Sequence, residues 1–164
     1  MLVGFSGVPY LVRYTLAGAP VDTAWIPWVT RRGFPQGWLD VFAEGRKTTL
    51  QEMVGAFSFL SGIWRLPNGN FLLWHQENAI DESQRVPKFS GTPHISVLSA
   101  DLKRACVDAP IEFPGTELPR IAIRGDTLLT LDQVGNRELT KVSSIVRRYL
   151  VSTKGCRWRP TNRM

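Results

Sequence analysis

The sequence predicts an all-β protein, and three observations lead there. Eleven prolines and fourteen glycines are scattered between apolar runs, more punctuation than a helical bundle tolerates. The runs are short, roughly four to eight residues, and rich in aliphatic and aromatic side chains, as strands are. A hairpin-shaped segment, LPNGNFLLWHQ at 66 to 76, returns as IAIRGDTLLTLDQ at 121 to 133. At 164 residues, 43% hydrophobic and 21% charged, the chain can bury a sizeable single core.

The elements follow in chain order. LVGF at 2 to 5 and LVRYTLAGAPVDTAW at 11 to 25 supply a first unit that begins at its second strand. A long connection, about 34 to 60, exceeds ordinary loop lengths. Within it, TLQEMVGAF at 49 to 57 spaces Thr49 and Glu52 as a capping box, with Leu50, Met53, Val54 and Phe57 on one helical face. A short helix is expected there, weakened by Gly55 by about 1 kcal/mol relative to alanine. The next unit offers strands at roughly 62 to 67, 70 to 75, 94 to 99 and 104 to 109. The last offers 119 to 124, 127 to 132, 145 to 151 and 155 to 159.

The units align on one another. Gly69 on Gly125, 56 residues apart, brings Leu72-Leu73 onto Leu128-Leu129. Ile95 meets Ile145 and Cys106 meets Cys156, both 50 apart. Arg13-Tyr14 falls on Arg148-Tyr149, and Val21 on Cys156, both 135 apart. Four-stranded antiparallel units in tandem must stack, because none can bury both faces alone.

LPRIAIRGDTLLTLDQ followed by IVRRYLV, and SGIWRLPNGNFLLWHQ followed by ISVLS, resemble the NHL-type or TolB-like repeats of six-bladed β-propellers. The resemblance covers most of residues 1 to 160, leaving 161 to 164 as a tail. It implies a propeller segment of about two and two-thirds blades, one domain over 1 to 160. Such an arc leaves blade faces exposed. The expected partners are therefore the missing blades of a longer chain, of which this is the C-terminal part, or further copies of the chain itself. A compact β-sandwich with pseudo-repeats is the competing architecture.

Under the repeat alignment Cys106 and Cys156 occupy equivalent strands of neighbouring blades, about 10 Å apart by sheet packing and beyond the reach of a disulfide. Val21, at the same place in the first unit, suggests a site for a small hydrophobe. Two buried free thiols are expected.

In the resembling propellers, ligands and catalytic groups gather at the central channel. They lie on the face carrying the loops from the second strand to the third and from the fourth to the next unit, here 75 to 85, 132 to 138 and the 34 to 60 connection. Carried onto this chain, the second strands run into that face at His75, Gln76, Glu77 and Asn78 in one unit and at Asp132 and Gln133 in the next. These are the candidate ligand-binding residues, expected at loop tips, where polarity also has the plainer explanation of contact with water. Glu77, Asn78 and Asp132 are oxygen donors suited to a hard cation. The gluconolactonase-like hydrolases of this architecture hold calcium, so a calcium-dependent hydrolase is the alternative to a binding scaffold. Six tryptophans form a second lead. Trp28 and Trp38, with Arg31 and Arg32, have the composition of a protein-binding hot spot, while Trp64 and Trp74 alternate within strands as core residues do.

Other chemistries find no support. His75 and His94 lack metal-ligand spacing, and there is no nucleophile elbow, Walker loop or dinucleotide fingerprint. The net charge of +6 is spread over isolated pairs (Arg31-Arg32, Lys103-Arg104, Arg147-Arg148) and a tail with Arg157, Arg159 and Arg163. That describes a solvated surface better than a nucleic-acid footprint. No apolar stretch approaches the roughly 20 residues of a membrane span. MLVGFSGVPY lacks the charged and long apolar regions of a signal peptide, and the compartment stays open.

Overall fold

The computed structural model describes residues 1–4, 10–26, 44–45, 58–81, 88–111, 120–135 and 142–161. Those residues form strands and turns in three antiparallel sheets, with no helix among them. The helix expected at 49 to 57 lies outside the described residues.

The first sheet holds β1 (Leu2–Gly4), β2 (Tyr10–Tyr14) and β3 (Pro20–Trp25), in that order. The second holds β4 (Phe59–Arg65), β5 (Phe71–Asp81), β6 (Lys88–Leu98) and β7 (Arg104–Pro110). The third holds β8 (Arg120–Arg124), β9 (Thr127–Gly135) and β10 (Val142–Leu150). A last short strand, β11 (Arg159–Pro160), does not join the third sheet but pairs with the outer strand β7 of the second.

The second sheet is covered on both faces. Leu73, Leu98, Leu102 and Ala105 on one face pack with Leu11, Ala24 and Ile26 of the first sheet and its flank. Leu72 and Val97 on the other pack with Ile123 of the third sheet and with Val151 and Trp158 beyond it. A strand points successive side chains to opposite faces, so Leu72 and Leu73 necessarily serve different seams. Trp64 and Trp74 fill core positions, as their alternation predicts.

The two hairpins that look alike close differently. At Leu66 to Asn70 a three-residue loop closes with the Gly69 N–H donating to Leu66 O at 2.9 Å, and Gly69 sits at φ +83°. Glycine is favoured there because a Cβ penalises the left-handed region. In the other, Arg124 pairs directly with Thr127, leaving Gly125 and Asp126 as a two-residue turn with Gly125 at φ +63°. The difference shifts the phase of the repeat. Leu128 shares a face with its cross-strand neighbour Ile123, which looks back at the second sheet, whereas Leu72 looks forward to the third. Aligning the glycines therefore pairs residues on opposite faces, the outcome of any one-residue slip in a strand.

The cysteine expectation is overturned: Cys106 and Cys156 form a disulfide, with their Cα atoms 5.9 Å apart. The expected strand at 155 to 159 does not form as a fourth strand of the third sheet. After β10 the chain instead turns at Lys154-Gly155 and returns to the edge of the second sheet, bringing Cys156 to β7. Arg104 lies over the Trp158 ring at 5.5 Å, and the Thr161 N–H donates to Lys103 O at 2.9 Å. Thr161 is thus buried against the 102–103 turn. Val21, aligned with Cys156, is 57% exposed and no guide to a buried site.

The turn joining β6 to β7 is built on Asp101. Its Oδ1 accepts from the Ser99 hydroxyl at 2.6 Å and from the Lys103 N–H at 3.0 Å. The Ser99 hydrogen bond, and then the Lys103 N–H, holds the Asp101 carboxyl below the ordinary carboxylate range. A lowered folded-state pKa contributes stability above the unfolded value of about 4 and loses it as pH falls through the folded value. Asp101→Asn is therefore expected to cost stability at neutral pH and to match the native chain in acid. Urea midpoints taken down through the carboxylate range check this; a gap independent of pH would exclude it.

Candidate functional site

β5 changes character halfway along: Phe71 to Trp74 are apolar and His75 to Asn78 polar. β9 changes at the corresponding point, from Leu128 and Leu129 to Thr130 and Asp132. The candidate residues are not at loop tips, because β5 and β6 remain paired in continuous register from Phe71↔Leu98 to Asp81↔Lys88. His75, Asn78 and Asp132 are consequently buried strand residues.

Alternation divides them between two seams. His75 and Glu77 share the face of β5 turned toward the first sheet. The His75 ring stacks on that of its cross-strand neighbour His94, with centroids 5.5 Å apart and planes 10° apart. Glu77 accepts a short hydrogen bond from the Ser58 hydroxyl, which comes from just before β4. Gln76 and Asn78 occupy the opposite face, toward the third sheet, and the Gln76 amide donates to Asn78 Oδ1 at 2.6 Å. Gly91, opposite Asn78, makes room for this: a Cβ there would stand 2.1 Å from Gln76 Nε2.

Facing back across this second seam are Thr130 and Asp132 of β9 and Arg147 of β10. Arg147 lies opposite Thr130 in the register and donates from Nη1 to Asp132 Oδ2 at 2.5 Å. The Asp132 carboxylate is fully buried while the arginine is partly exposed. Its other oxygen, Oδ1, and the Thr130 hydroxyl are buried without a hydrogen-bond partner among the described residues. Such groups cost free energy unless something donates to them. The seam is therefore suited to a hydroxyl, an amine, a water molecule or a cation.

The structure brings Asn78 and Asp132 to one seam and sets Glu77 at the other. Among the described residues there is no cluster of three or more His, Cys, Asp or Glu side chains able to hold a metal. Gln133 lies on β9 opposite Ser144. Trp28, Arg31, Arg32 and Trp38 lie outside the described residues. Ser58, Thr130 and Arg147 were not foreseen from the sequence. Thr130 carries a faint signal, since it sits between Leu128 and Asp132 on one strand face. Arg147 and Ser58 carry none, because cross-strand partners are set by register.

Among the described residues no helix is long and apolar enough to cross a membrane. No protein-family model, curated protein or solved structure matches the chain.

Proposed function

We propose that this chain is a propeller-type stack of β-sheets serving as a scaffold for ligand or protein binding, one part of a six-bladed assembly. The observation that carries this reading is an asymmetry between sheets. The second is covered on both faces, whereas the third leaves Val146 65% and Leu150 72% exposed on its outer face. Further blades of a longer chain, or further copies of this one, would cover that face. The polar ends of β5 and β9 would supply the ligand seam.

The separated chain is expected to bind an apolar-surface dye or to self-associate in sedimentation. A stable, dye-negative monomer would defeat this reading in favour of a closed sandwich.

A second reading, the calcium-dependent hydrolase, draws on the open acceptor Asp132 Oδ1. Binding to the folded state alone must raise stability. On this reading calcium chloride raises Tm in the native chain and not in Asp132→Asn, and the loaded protein hydrolyses gluconolactone. A Tm indifferent to calcium removes it.

A further inference from the structure

The outer face of the third sheet is a grid of three cross-strand rows. Val146, Leu131 and Arg120 form one; Arg148, Leu129 and Ala122 the next; Leu150, Thr127 and Arg124 the last. It mixes aliphatic side chains with three exposed arginines, and no acidic side chain belongs to it among the described residues.

The chain itself shows how such a face is completed. In the repeat alignment Leu11 and Arg13 of β2 correspond to Val146 and Arg148 of β10, both pairs 135 apart. Leu11 is fully buried because the second sheet covers it, whereas Val146 is exposed. Arg13 is answered by Asp22 of the adjacent strand at 3.1 Å. Arg147, facing the second seam, is answered by Asp132. Arg13 and Arg147, each turned toward a neighbouring sheet, thus have a carboxylate beside them, whereas Arg120, Arg124 and Arg148 have none on their own face among the described residues.

We infer that the outer face of the third sheet docks a β-sheet of a partner polypeptide that presents aliphatic side chains interspersed with carboxylates. This rests on the stacked-sheet reading and specifies the chemistry of its partner. A second copy is a poor occupant. Face to face, two copies would bring together two sets of three arginines, and like charges in apposition oppose association. Among the described residues the outer face of the first sheet, with Val3, Val12, Thr23 and Trp25, brings no carboxylate either.

The test uses synthetic β-hairpins as probes. One presents alternating valine and glutamate on a face, a second valine and lysine, a third serine and glutamate. Fluorescence anisotropy is expected to show binding of the valine–glutamate hairpin alone. Its Kd should rise at least about tenfold in Arg148→Glu and in Val146→Ser, since both charge and apolar contact contribute. Arg120→Glu and added salt give independent checks in case one variant folds poorly. Equal binding of the serine–glutamate hairpin, or indifference to Arg148→Glu and Arg120→Glu alike, overturns the inference. So does sedimentation showing that two native chains pair through this face. If the chain binds dye but no hairpin, this inference fails and the stacked-sheet reading stands; if it binds neither and stays monomeric, both fail.

Discussion

Replacing Cys156 with serine is expected to lower the folding free energy by about 4 kcal/mol, the largest effect of any single polar change in this chain. The bond closes a loop between cysteines 50 residues apart. On the chain-entropy account, cross-linking over that distance removes about 4 kcal/mol of freedom from the unfolded ensemble. The returning segment is otherwise held by a few contacts, among them the Thr161 N–H donating to Lys103 O and Arg104 over the Trp158 ring. β11 contributes Arg159 and Pro160 to the edge of β7, and Trp158 and Val151 pack against the second core. Cys106→Ser should lose the same amount, and the double substitution no more than either alone, because the three chains lack one and the same bond. Urea midpoints with and without reductant measure the effect. The native protein should also show no titratable thiol where the environment is oxidising enough to keep the bond. Unaltered midpoints on reduction would show that the segment is held by packing instead.

Leu102→Ala is expected to cost about 2 to 4 kcal/mol, and Leu102→Gly about 1 kcal/mol less than that. The order is the informative part, since glycine ordinarily loses to alanine. Leu102 is 0% exposed and sits in the core between the first and second sheets. It is also the one non-glycine residue at positive φ among those described, at 62°. The turn that carries it is fixed by the Leu102 N–H donating to Ser99 O and by the hydrogen bonds of Asp101. A side chain in that conformation pays a steric penalty of about 1 to 2 kcal/mol. Leucine tolerates it because its buried surface more than compensates. Alanine keeps the penalty and loses the burial; glycine loses both. Thermal or urea unfolding of the three chains ranks them, and glycine below alanine would mean that the turn relaxes once the side chain is gone.

Much of the local structure was legible. Most strands expected from the sequence lie within a few residues of those observed, because short β-rich runs bounded by glycine and proline leave few alternatives. His75, Asn78 and Asp132 were recognisable as candidate polar residues, but at loop tips just past the apolar strands rather than within strands. That they are buried was not, because burial depends on how far β5 and β6 stay paired beyond their apolar halves. The pairing of Arg147 with Asp132 was equally out of reach, since two residues 15 apart meet only when β9 and β10 adopt one particular register.

By itself the sequence determined the all-β class, the positions of the hairpins and the repetition along the chain, all of which follow from local backbone preference and side-chain period. Only the tertiary structure decided which face each repeated residue presents and where the end of the chain returns. A change in turn length moves every following side chain to the other face, and alignment on Gly69 and Gly125 passes over that change. The disulfide depends on the same kind of decision. Cys106 and Cys156 are distant if the last segment continues its own sheet and adjacent if it crosses to β7, and the residues from 151 to 158 have no strand pattern strong enough to choose. The choice falls to Trp158, Thr161 and β11, whose partners are supplied by a different sheet.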